Sequence, residues 1–178
     1  LLPLGQLVDY GYWTKSMKTP ETVVSIMGGI GELAPCGCAL ALHFKFTSPA
    51  YLLQTYKADL TAYYTQNSLV MRDPVVAWGL GNTGARTWSS FADEDPAGVM
   101  RAAADHGLTF GLVIALVEGG SRSVCGFARD DREFSETEIA ELTALLTELH
   151  ALTQDEDGLS DDDKTALRRL SAGTTQPY

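Results

Sequence analysis

The sequence predicts an α/β fold of the α+β kind, an α/β/α three-layer sandwich with a central antiparallel sheet. Three observations predict it. Cys38 to Phe46 alternates apolar and polar residues, as a half-buried strand does. Leu108 to Val117 is apolar on both faces apart from Thr109 and Gly111, as a strand covered from both sides would be. Helical patterns stand at both ends of the chain, ready to form the outer layers.

Taken in order, Leu2 to about Leu33 reads as helix in two pieces separated at Thr19-Pro20. Thr19 is a candidate N-cap there, with Pro20 at the first helical position. Gly28, Gly29 and Gly31 weaken the end of the second piece. Their G-G-x-G spacing lacks a preceding strand and a following Lys-Ser/Thr, so it signals fraying or close packing rather than phosphate binding. In the first strand Cys38, Leu40, Leu42, Phe44 and Phe46 share one face, and Ala39, Ala41, His43 and Lys45 the other. Ser48-Pro49 turns the chain into a short second strand running up to Tyr56. A helix from about Lys57 to Gln66 follows, then a loop to Asp73. Asp73-Pro74 opens a short helix that stops in the Gly79, Gly81, Asn82, Gly84 cluster. Asp95-Pro96 starts another, which runs to His106 and is closed by Gly107. Gly119-Gly120 makes a tight turn from the central strand into Arg122 to Arg129, forming a hairpin. Ser135 and Glu138 form a capping box, and the helix they open carries Ile139, Leu142, Leu145, Leu146, Leu149 and Leu152 as an apolar stripe.

At 178 residues, 45% of them apolar, the chain fits one domain with a short appendage. Thirteen Lys+Arg against 23 Asp+Glu give a net charge of −10, a surface that repels phosphate backbones and anionic lipids. Apolar runs fall short of a bilayer span and no signal peptide is visible, and cysteines read as free thiols suit a reducing cytoplasm. The first residue is Leu rather than Met, which reads as a processed or shortened start. Cys36-Gly-Cys38 lacks further ligands at metal-binding spacing, so these cysteines and Cys125 read as free thiols, with no metal or cofactor. Gln154 to Asp163 holds six carboxylates and no base, the composition of a solvated linker.

Tyr56, Tyr64, Asp73 and Trp88 recur at intervals that place two phenols, a carboxylate and an indole around one cavity. No nucleophile and base stand beside them, so no catalytic residues are assigned and the chain is not read as an enzyme. A carboxylate acceptor, hydroxyl donors and a flat aromatic surface suit the holding of a small, partly polar molecule. Each residue also has a plainer role. Asp73 before Pro74 is a helix cap, the tyrosines and Trp88 are core, and Arg129 is a strand-end arginine facing solvent near Asp130 and Asp131.

In this order and spacing, the aromatic ladder before Asp73-Pro74-Val75, Trp88 fifteen residues later, and Asp105 to Gly111 leading into an apolar strand resemble the autoinducer-binding domain of LuxR-type quorum-sensing transcriptional regulators. The resemblance covers about Leu2 to Leu152 and implies a PAS/GAF-like form of the sandwich. It divides the chain into a sensor domain at 1–153, an acidic linker at 154–160 and, at 161–178, the truncated start of a helix-turn-helix DNA-binding domain. It implies a buried N-acyl homoserine lactone or a related non-lactone signal, a homodimer, and contact with DNA only through that C-terminal module. The Asp73 carboxylate would accept the ligand amide N–H and the Tyr56 hydroxyl would donate to the acyl carbonyl. Trp88 would pack on the head group, with Tyr64 and Val76 lining the acyl path. Two positions depart from the family. Leu60 stands where a tryptophan usually donates to the lactone carbonyl. Arg129 stands where a small hydroxyl residue is common, and an inward arginine would favour an anionic or strongly accepting head group. Two other readings remain: a ligand-independent dimerisation module that antagonises full-length regulators, and a lactone hydrolase on the same scaffold.

Overall fold

The computed structural model describes residues 22–172. Its centre is a five-stranded, wholly antiparallel sheet of β1 (Gly37–Lys45), β2 (Ser48–Gln54), β3 (Gly84–Thr87), β4 (Phe110–Glu118) and β5 (Ser121–Arg129). The strands lie in the order β2-β1-β5-β4-β3. β4 and β5 meet through Gly119 (φ 58°) and Gly120 (φ 76°), the left-handed pair that a two-residue hairpin turn requires.

One face of the sheet carries α1 (Val23–Leu33), α5 (Glu136–Thr153) and α6 (Asp161–Ala172). Val23, Ile26 and Ile30 meet Leu142, Leu146 and Leu149 over Cys38, Leu40, Leu42, Cys125 and Phe127, forming the main core. The other face carries α2 (Ala58–Gln66), α3 (Pro74–Gly81), a 3₁₀ segment Trp88–Glu94 and α4 (Val99–Asp105), over smaller apolar clusters. Three layers result, as the patterning predicts.

The caps explain most boundaries. Ser135 accepts from the Glu138 N–H while Glu138 reaches back to the Ser135 N–H, the reciprocal box expected. Asp73 caps α3, whose C-terminal carbonyls on Gly79 and Asn82 are taken by Arg122 from β5. The Thr19-Pro20 break and the helical piece before it lie outside the described residues. Within them, α1 starts one turn later, capped by Thr22 and Ser25. α4 starts at Val99 rather than Pro96, but Asp95 still caps it, its two oxygens accepting from the Val99 and Met100 N–H groups at 2.8 Å.

One expectation is corrected, and two stretches gain structure that the sequence did not signal. β3 and the 3₁₀ segment fill Gly84 to Glu94, to which the sequence assigns no element; four residues of mixed polarity carry no strand signal, and pairing with β4 makes the strand. His43 faces α5 with Cys38, Leu40 and Leu42 instead of the opposite side. It adopts φ 56°, which reverses the alternation and sends Phe44 to the second face. The acidic stretch after α5 is solvated along most of its length and is also anchored to the fold. Five of its carboxylates are exposed, but Leu159 and Asp163 are buried, Asp163 accepts from the Val23 N–H at 2.8 Å, and Glu156 accepts from the Tyr51 hydroxyl at 2.7 Å.

Candidate functional site

On the second face, β2 delivers the chain to Tyr56, and glycines make room for its side chain. A Cβ on Gly37 would lie 3.0 Å from the phenol ring, and one on Gly126 would lie 3.3 Å from its oxygen. The hydroxyl is buried and has no hydrogen-bond partner among the described residues, and burial pushes its pKa well up. One helical turn on, Leu60 points inward from α2, 6% exposed, into a cluster with Ala103, Leu108 and Ala128 against which Tyr56, Cys36 and Trp88 pack.

A further turn along α2, the Tyr64 hydroxyl donates to Asp73 Oδ2 at 2.8 Å. Asp73 is 9% exposed, and its Oδ1 accepts from the Val75 N–H at 2.8 Å. The carboxylate therefore caps α3 and faces inward at once. Burial pushes its pKa up, against the opposing pull of the Tyr64 and backbone hydrogen bonds. Val75 is buried against the sheet while Val76 is half-buried beside it, so Val75 makes the closer contact with this face.

Trp88, the first residue of the 3₁₀ segment, bridges the two clusters on this face. Its indole lies on Gly111 in β4 so closely that a Cβ there would fall inside the ring's envelope. Nε1 is buried and has no hydrogen-bond partner among the described residues. Trp78 packs edge-on against Phe91, with ring centroids 6.3 Å apart.

Six of the seven residues singled out by the sequence thus belong to this face. Arg129 does not. Strand alternation places Ala128 in the cluster with Leu60 and turns Arg129 to the α5 side. There it pairs with Asp131 at 2.6 Å and Glu138 at 2.8 Å, 5.5 Å from the Phe134 ring centre. It is neither inward nor solvent-directed, and its 7% exposure is explained by two carboxylate partners. Sequence reasoning missed Leu108, Ala128 and the three glycines that seat the aromatic rings. Gly111 and Gly126 carried a usable signal, because glycine inside a buried strand marks close approach by another group.

His43, His150, Ser121, Ser123 and Thr153 form a separate polar chain on the α5 face. Ser123 Oγ lies 2.8 Å from His150 Nδ1, and His43 Nε2 lies 2.8 Å from Thr153 Oγ1. Ser123 and His150 have no exposed surface, so this Ser–His contact ties β5 to α5. Among the described residues no cluster of three or more His, Cys, Asp or Glu is placed to hold a metal ion, and no helix is long and apolar enough to cross a membrane.

The chain is similar in fold to several solved structures. One is the N-acylhomoserine lactone-dependent LuxR family transcription factor CepR2 from Burkholderia cenocepacia, with TM-score 0.56 and 18% identity, covering 72% of this chain and 78% of that one. Another is SdiA in complex with octanoyl-rac-glycerol, with TM-score 0.58 and 23% identity, covering 87% and 72%. A third is residues 1–171 of Escherichia coli SdiA, with TM-score 0.54 and 21% identity, covering 84% and 86%. No curated protein matches the chain. The family model described as the autoinducer binding domain matches residues 39–154, most of the described fold, and the chain therefore belongs to the autoinducer-binding domains of LuxR-type regulators.

Proposed function

We propose that this domain senses a small, partly apolar signal, an N-acyl homoserine lactone or a related non-lactone molecule, held between the sheet and α2–α4. The observation that carries the reading is the inward, buried Asp73 carboxylate beside a buried Tyr56 hydroxyl that has no partner among the described residues. Each Asp73 oxygen keeps acceptor capacity beyond its present bond, enough for a ligand N–H. The Tyr56 hydroxyl donates to the acyl carbonyl. Leu60 and Trp88 pack on the head group, and Tyr64 and Val76 border the acyl path. Membership of the family, the lactone dependence of CepR2 and the acylglycerol held by SdiA support this class of ligand.

Sensing works by linkage. A molecule that binds only the folded state adds about 2.7 kcal/mol of stability at a hundred times its dissociation constant. In a cytoplasmic regulator this raises the population of folded homodimers able to present DNA-binding modules. Residues 154–160 act as the connection and α6 as the opening helix of such a module. The domain acts as a sensor rather than an enzyme, since its Ser–His contact is sealed in the core.

A thermal-shift panel of acyl lactones, acylglycerols and aryl or pyrone-type molecules tests the reading, and at least one class is expected to raise Tm by several degrees. A flat response to every class favours the second reading, a ligand-independent dimerisation module that antagonises full-length regulators. Leu60 supports that alternative, because it fills its cluster with hydrocarbon and offers no polar contact.

A further inference from the structure

We infer that Trp88 donates a hydrogen bond to the bound molecule through Nε1–H, alongside the Tyr56 hydroxyl, so that the site selects a neutral molecule with two acceptor oxygens and one N–H or O–H. The inference rests on the sensor reading above and specifies the chemistry of that same site.

Tyr56 Oη and Trp88 Nε1 are both buried, both lack a partner among the described residues, and both side chains pack on the Leu60, Ala103, Leu108, Ala128 cluster. Native interiors rarely leave two such donors unmatched on one cluster, and a shared occupant resolves both. Tyr64 adds no third donor, because its proton is committed to Asp73 Oδ2. Leu60 brings only hydrocarbon. The acceptor side is Asp73, with lone pairs to spare on both oxygens.

The donors are also held in place. The indole rests on Gly111 of β4, and the phenol rests between Gly37 of β1 and Gly126 of β5, so three strands of the sheet set their positions. A side chain at Gly111 would displace the indole. Charge narrows the occupant further. The cationic Arg129 is held across the sheet by Asp131 and Glu138, the Leu60 cluster carries no charge, and the charge that acts on Asp73 is that of Asp95, another carboxylate. A carboxylate-bearing molecule would therefore meet Asp73 with no compensating cation.

The test is a ligand–protein cycle read by calorimetry. It uses an N-acyl homoserine lactone, the N-acyl cyclopentylamide of the same chain length (which lacks the ring carbonyl), and the ring-opened acyl homoserine carboxylate. The proteins are wild type, Trp88→Phe and Tyr56→Phe. Trp88→Phe is expected to weaken the lactone about tenfold, the equivalent of about 1.4 kcal/mol for one hydrogen bond. It should weaken the cyclopentylamide no more than about twofold by the same reasoning. Tyr56→Phe should weaken both amides alike, and the ring-opened acid should bind wild type at least about tenfold less well than the lactone. Equal losses for both amides in Trp88→Phe would mean the indole only packs, and would overturn the inference while leaving the sensor reading intact. Failure of wild type to bind either amide would overturn both. If Trp88→Phe does not fold, benzothienylalanine at position 88 keeps the ring shape and removes only the N–H, and the same difference between ligands is required of it.

Discussion

Asp73 divides two duties between two oxygens, and substitutions can separate them. Asn caps helices about as well as Asp, and it removes the charged form that burial disfavours at Asp73. Asp73→Asn is therefore expected to leave the Tm of the empty protein within a few degrees of wild type and to abolish the ligand-induced rise. Asp73→Ala should lose the cap as well, lowering unfolding free energy by about 1 kcal/mol in urea titration. His43 gives a prediction of a different kind. Its imidazole lies between Ser121 and Thr153, 4.3 Å from the His150 ring, and burial lowers its pKa to about 4. The fold thus prefers the neutral ring, whereas the unfolded chain takes up a proton near pH 6.5. The associated stability is complete above that value and is lost as pH falls from there toward 4. Asp73, shifted upward, contributes with the opposite sign. Comparing Tm at pH 7.5 and pH 5 should show a smaller drop in His43→Gln than in wild type; an unchanged drop would remove His43 from the account. At this scale the sequence revealed which residue types gather, but not always their direction. Arg129 missed the site by one position of strand alternation. His43 changed faces through a left-handed backbone that no glycine or asparagine announced.

The helices were legible where a cap or a strict period marked them, as at Ser135, at Asp73-Pro74 and along the leucine stripe of α5. β3 was not, because a four-residue edge strand is made by its neighbour rather than by its own composition. Glycines distinguish elements that merely tolerate this residue from those that need it. Gly28 and Gly31 face open space on α1, and alanine at either is expected to add about 0.5–1 kcal/mol by restricting the unfolded chain and favouring helix. Gly111 sits beneath the Trp88 indole, so Gly111→Ala must push the ring off the sheet. Loss of ligand-induced stabilisation is expected there, with Trp fluorescence shifted by the displaced indole. A fully functional Gly111→Ala protein would mean that this seating is dispensable.

For the whole molecule, the three-layer plan was legible because each layer had its own periodicity, while the place of α6 was hidden by its acidic first turn. Leu159 and Leu167 join the main core, and α6 packs on α1 and β2. A chain ending at Gln154 is expected to lose about 3 kcal/mol or more in urea unfolding, at about 1.5–3 kcal/mol per buried leucine. Asp163→Ala alone should cost about 1 kcal/mol by leaving the Val23 N–H unmatched. The bond between Val23 and Asp163 spans 140 positions of the chain. During translation, at about 5–20 residues per second, the N-terminal end of α1 waits on the order of ten seconds for its acceptor to be made. Until the ribosome releases that carboxylate, the Val23 N–H lacks its Asp163 acceptor and the apolar flank that α6 covers stays open.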